Sequence, residues 1–122
     1  MNVALWVVQV FLALAFAGAG FDQAFNYDDA KRRLPWVGAL PRGAAVLLGL
    51  IEIAGAIGLI VPAATNTVPS LTVLAAAALV VLMALAVVFH ARRHEIVQLG
   101  FSTFFGVAAA AVLIGRIVVS PF

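Results

Sequence analysis

The chain has no cysteine. Disulfide exchange, thiolate nucleophiles and iron–sulfur ligation are therefore excluded for this chain by itself. That separates it from membrane thiol oxidoreductases of similar size. Charge is scarce as well. Asp, Glu, Lys and Arg supply 10% of the 122 residues, where a water-soluble domain carries about 25%. There is no Gly-rich phosphate loop, no nucleophile–base dyad and no dinucleotide fingerprint. The net charge is only +2, and the basic residues lie between apolar runs, so a nucleic-acid partner is not expected.

What the chain has instead is apolar length. Hydrophobic residues make up 66%, concentrated in four runs at 3–21, 43–61, 71–89 and 96–115, each about the length of one membrane-spanning helix. Their continuity lacks the two-residue alternation of barrel strands. The expectation is an all-α polytopic integral membrane protein: a four-transmembrane-helix bundle forming a single domain over 1–122. Its helices are placed at about 3–25, 43–61, 71–90 and 96–118, with an interfacial connection over 26–42. Lys31, Arg32, Arg33 and Arg42 fall between the first two helices, and Arg92 and Arg93 between the last two. The positive-inside rule puts these loops in the cytoplasm and both termini outside, in the cell membrane. No Lys or Arg precedes the first run, which is read as a retained span rather than a cleaved signal.

Small residues recur at helical spacing. Ala13, Ala17, Gly20 and Ala24 form one stripe, and Ser102, Gly106 and Ala110 another; such stripes let helices approach closely in lipid. Gln9 is expected to make an interhelical hydrogen bond. Pro35 and Pro41 break the 26–42 connection, with Pro41 able to start the next helix. Tyr27 and Trp36 fit an interfacial aromatic belt. Pro62 is expected to end the second span, followed by an uncharged turn, AATNTVPS. Arg116, near the outer end of the last helix, is expected to snorkel to the headgroups.

One charge stands inside an apolar run. Glu52 lies ten residues beyond Arg42, about 15 Å deep at ~1.5 Å per residue, near the middle of a ~30 Å hydrocarbon core. An acid there costs about 2.5 to 3.5 kcal/mol on insertion scales, so it faces the protein interior and is a functional candidate. Ala45, Gly49, Glu52 and Ala56 share one helical face, with Gly55 on the next turn. Glu52, Gly49, Gly55 and Ala56 are thus the candidate ligand-binding residues. A protonated carboxyl there could donate a hydrogen bond to a carbonyl such as a quinone's, or act as a general acid; the alternative is a structural clamp between helices.

Three stretches resemble the DoxX-like family of small four-helix membrane proteins. GLIEIAGAIGLIVP, residues 49–62, is similar to the family's second helix. HARRHE, residues 90–95, matches its polar motif after the third helix, and Gly115 with Arg116 matches the end of the fourth. One position departs: where the family usually places a lysine after an alanine–glycine pair, AGFDQ puts Gln23 here, beside Asp22. A lysine-dependent role therefore does not carry over. The resemblance implies the four-helix fold and a membrane subunit of quinol- or thiosulfate-linked oxidoreductases, or a redox-enzyme partner; distant relatives resemble receptor-assembly chaperones.

The functional expectation is an accessory subunit. It would hold a small hydrophobic molecule, a quinone or lipid, near Glu52 and serve membrane oxidoreductase subunits, in the lipid bilayer and as a homo-oligomer or alone. A second reading is a membrane-embedded acid/base enzyme, an isomerase or cyclase on an apolar substrate, with Glu52, Asp22 and His90 as catalytic residues. A third is an assembly protein. Asp22 and His90 lie at similar depths and could pair, although separate interfacial roles are favoured. His90 and His94 are four apart, but with Glu95 at a solvated interface beside Arg92 and Arg93 they make a poor metal site, and neither metal nor haem is expected. Direct pairing of Glu52 with Arg116 is not expected, because Arg116 lies ~30 Å along its helix from the cytoplasmic face.

Overall fold

The computed structural model describes residues 2–66, 68 and 70–119. Four helices carry the apolar runs: α1 (Asn2–Phe25), α4 (Arg42–Thr65), α5 (Ser70–Arg92) and α6 (Ile96–Ile114). Two short ones, α2 (Tyr27–Arg33) and α3 (Pro35–Ala39), occupy the connection between α1 and α4. Among the described residues there is no strand. Each of the four long helices is long and apolar enough to cross a membrane. Their outer faces carry a belt of exposed side chains such as Val7, Leu14, Leu47, Leu74 and Val107. In water that belt would be untenable; in a bilayer it is the lipid-facing surface.

The helices form a ring in chain order. α1 packs on α4, α4 on α5, α5 on α6, and α6 returns to α1. Leu12, Phe16, Ala56, Leu59, Ala76, Leu79, Met83, Ala109 and Val112 fill the centre. The α1–α4 seam is the tightest, and its reason is the pair Gly20 and Gly49. A Cβ on Gly49 would lie 2.6 Å from the Gly20 carbonyl oxygen and 2.9 Å from the Ala24 nitrogen, and one on Gly20 would run into the Gly49 carbonyl. Only glycine permits this backbone approach. Elsewhere the ring closes differently: α1 and α6 meet through aromatic rings, with Phe105 stacked on Phe11 at 5.9 Å and tilted against Phe16 at 5.8 Å.

Pro62 does not end the second span. α4 continues through it to Thr65 and stops at Asn66, which takes the left-handed conformation (φ 53°) that asparagine tolerates well. The cost of a proline inside a helix is the carbonyl four residues earlier, which loses its donor. Here that carbonyl belongs to Gly58, and the Thr72 hydroxyl of α5 donates to it at 3.0 Å. A second helix thus supplies what the proline removes. Of the expected turn AATNTVPS, Thr67 and Pro69 lie outside the described residues.

Arg116 also departs from expectation. Beyond Ile114 the last helix widens into a π-helical turn, Gly115–Val119. Its side chain runs inward, 2% exposed. Nε donates to Gln9 Oε1 at 2.7 Å and Nη1 to Asn2 Oδ1 at 2.6 Å, and the guanidinium lies over the Trp6 ring at 5.7 Å. Gln9 in turn donates to the Leu59 carbonyl at 2.8 Å. With polar partners on α1, the arginine has no need to reach the headgroups; Gln9 makes the interhelical bond expected of it.

Candidate functional site

α2 and α3 cap one end of the ring. Pro35 begins α3 and Pro41 precedes α4, so the connection folds back in two short turns instead of one helix. Tyr27, Ala30 and Val37 pack onto Ala45 as a small core of their own. This fold-back carries Trp36 and Leu34 over the end of the bundle, where they and the helices line an open-sided cavity of about 450 Å³. Its walls are Phe16, Leu48, Met83, Ala86, Phe89 and Phe105, and its polar points are Gln23, Glu52, His90, Gln98 and Ser102. Volume, apolar walls and a few converging polar groups are the features of a small-molecule site.

Glu52 projects into this space from α4. It is 6% exposed, and Gln23 Nε2 of α1 donates to its Oε2 at 2.9 Å. The Gly20–Gly49 contact makes that bond possible, because each polar residue sits three positions beyond its glycine at the point of closest approach. No basic group pairs with Glu52 among the described residues; the amide is its hydrogen-bond partner.

The other expected ligand residues are placed elsewhere. Gly49 is covered by Gly20 and Gln23 of α1, and Gly55 is pressed against Leu79 of α5. Ala56 belongs to the buried core. The small-residue groove beside Glu52 is filled by neighbouring helices, and the open space lies on the adjacent face, toward Leu48. Asp22 does not line the cavity. Its carboxylate is 3.3 Å from Arg33, which Asp29 also holds at 2.9 Å. The Asp29 hydrogen bond, with that of Asp22, raises the Arg33 guanidinium above its ordinary value. An Asp22–His90 pair is absent because each has a closer partner.

His90 does line the cavity. Its Nδ1 lies 2.9 Å from Glu95 Oε1, and its ring meets Trp36 edge-on at 5.4 Å. Arg93 Nε donates to the same Glu95 oxygen at 3.1 Å. Partial burial pushes the Glu95 carboxyl up, but the bonds from His90 and Arg93 outweigh it and hold it below its ordinary value. An ionised Glu95 fixes the proton on Nδ1 and leaves Nε2 as the second, independent nitrogen. His94 does not join this cluster: α5 ends at Arg92 and His94 adopts a left-handed backbone, φ 56°.

The matched region agrees with this architecture. A family model described as the DoxX-like family matches residues 7–112, nearly the whole chain. The chain belongs to the DoxX-like family. Comparisons with curated proteins and with solved structures give no match. In this DoxX-like chain, the matched span contains Gln23, Trp36, Glu52, His90 and Ser102. Glu52 and His90, both singled out in the sequence, line the cavity together with Gln23, Trp36 and Ser102, whose places there the sequence did not indicate. Besides its departure from the family's lysine, the signal for Gln23 was its place one turn beyond Gly20, on the small-residue face that α4 meets.

Proposed function

We propose that this DoxX-like protein binds a small hydrophobic molecule, a quinone or lipid, in the cavity beside Glu52, as an accessory subunit of a membrane oxidoreductase system. One observation carries the binding part: a carboxyl–amide pair buried at the edge of an apolar cavity of about 450 Å³. Apolar walls accept a tail or ring, and the pair orients a polar head. The link to an oxidoreductase rests on the family resemblance. The test is binding of a short-chain quinone analogue, and separately of a spin-labelled lipid, to the protein in nanodiscs. Glu52→Ala should weaken whichever ligand the site takes by about tenfold. Unchanged binding in both Glu52→Ala and Glu52→Gln would remove Glu52 as the anchor.

A second reading is supported by a specific placement. Glu52 and His90 line the same cavity from α4 and α5, as acid/base catalysis on an apolar substrate would require. Here Glu52 is the acid and His90 the base, oriented through Nδ1 by Glu95. Asp22, tied to Arg33, has no part in it. This reading expects protein-dependent uptake of deuterium from heavy water into a lipophilic ketone, lost in Glu52→Gln. Exchange no faster than in empty nanodiscs rejects it.

A further inference from the structure

We propose that the cavity selects a lipophilic molecule whose head donates a hydrogen bond, an alcohol or phenol, by offering it the Gln23 side-chain oxygen. This rests on the cavity being the binding site, as proposed above, and narrows its ligand to a donor-bearing head, a lipid alcohol or the reduced, phenolic form of a quinone. Gln23 is 2% exposed and lines the cavity. Its Nε2 is committed to Glu52 Oε2. Among the described residues no donor reaches its Oε1; the atom is covered where Gln23 meets the cavity wall, so a ligand's donor engages it with a small shift of that side chain.

An amide oxygen can only accept. Left unpaired in a protein interior, it loses the bond it would have had to water, so a partner that supplies a proton gains affinity at this atom. The neighbouring polar groups do not supply one: His90 Nδ1 is turned to Glu95, and no donor from α6 makes the contact. An ether or ketone of the same shape brings only acceptors and leaves the shortfall in place. The asymmetry of the Gln23–Glu52 bond is thus a specificity device, with the amide nitrogen holding the acid and the amide oxygen reading the ligand. Met83, Phe89 and Leu48 accept the apolar remainder.

The experiment uses a matched pair, 4-nonylphenol and its methyl ether 4-nonylanisole, titrated into the full chain in nanodiscs. Trp36, which lines the cavity, reports binding by its emission. Trp36→Phe identifies that signal, and empty nanodiscs correct for partition. The phenol should bind about tenfold tighter or more, and Gln23→Met should bring the two ligands to within about twofold. Equal binding in the unmodified chain overturns the donor rule while the cavity remains a site. Tighter binding of the ether overturns it in another way, since the amide would then be reversed with an N–H left over. A phenol preference that survives Gln23→Met assigns the donor to a different acceptor and also overturns it. If neither ligand moves the Trp36 signal, and the quinone analogue and lipid also fail, the binding reading itself falls. The matched pair in the unmodified chain decides the donor rule even if the variant does not fold.

Discussion

At the scale of single residues, Gly49 does as much for the site as Glu52. It lets α1 come close enough for Gln23 to reach the acid. In Gly49→Ala the added carbon would stand 2.6 Å from one backbone atom and 2.9 Å from another, and backbone cannot step aside as a flexible side chain can. The helices must part, with an expected loss of about 1 to 3 kcal/mol. Gly18, with nothing within 4 Å of its would-be Cβ, is the control: Gly18→Ala should change stability by less than about 0.5 kcal/mol. Reversible unfolding in mixed detergent measures both, and equal stabilities reject the account. Glu52 was legible in the sequence because depth follows from counting residues along an apolar run. Gln23 was visible in two ways, as a departure from the family's lysine and by its place one turn beyond Gly20. Its role depends on which face of α1 meets α4, a register that spacing suggests but does not establish. The same limit hid the inward turn of Arg116, whose partner Gln9 lies at the far end of the chain.

Between elements, the α4–α5 seam contains a compensation open to a double-mutant test. Thr72→Val removes the hydroxyl that serves the Gly58 carbonyl, and should cost about 1 kcal/mol, in the range measured for interhelical bonds in membranes. In a Pro62→Ala background, residue 62 regains an N–H and can serve that carbonyl itself, so Thr72→Val should then be nearly neutral. Unfolding free energies of the four proteins give the coupling; additivity would mean the two residues do not share an acceptor. The sequence suggested a helix end at Pro62 because proline was visible and its remedy, ten residues on, was not. The α5–α6 connection offers a pH test. Glu95 is held below its ordinary carboxylate value of 4.5, so its contribution is complete above that value. It is lost as the pH falls through the lower folded value, when His90 and Arg93 lose their acceptor. Trp36, edge-on to His90, should report this as an acid transition in its emission below about pH 4.5, absent in Glu95→Gln. A transition of the same size in that variant would show that another group titrates.

On the scale of the whole molecule, the four-helix plan was the most legible feature, because bilayer thickness and backbone satisfaction together leave little choice for four apolar runs of this length. The cavity was not, since it arises where α2 and α3 fold back over the bundle: the breaks at Pro35 and Pro41 were expected, but the direction in which the segment between them turns is set by packing that spacing does not specify. That end of the ring also carries the charge: Lys31, Arg32, Arg33 and Arg42 around α2 and α3, with Arg92 closing α5 and Arg93 just beyond it. A positive end of this kind is retained on the cytoplasmic side during insertion, which would place the Trp36 side of the cavity toward the cytoplasm. The absence of cysteine makes the orientation directly measurable, because any introduced thiol is unique. Ala39 and Arg93 are exposed at the charged end, and Asn66 is exposed at the other. With a membrane-impermeant maleimide, Ala39→Cys and Arg93→Cys should label in inverted vesicles and not in intact cells, and Asn66→Cys the reverse. The opposite pattern would overturn the orientation and put the cavity's capped end on the outer face; labelling of each position from both sides would mean that the charge difference does not select a single topology.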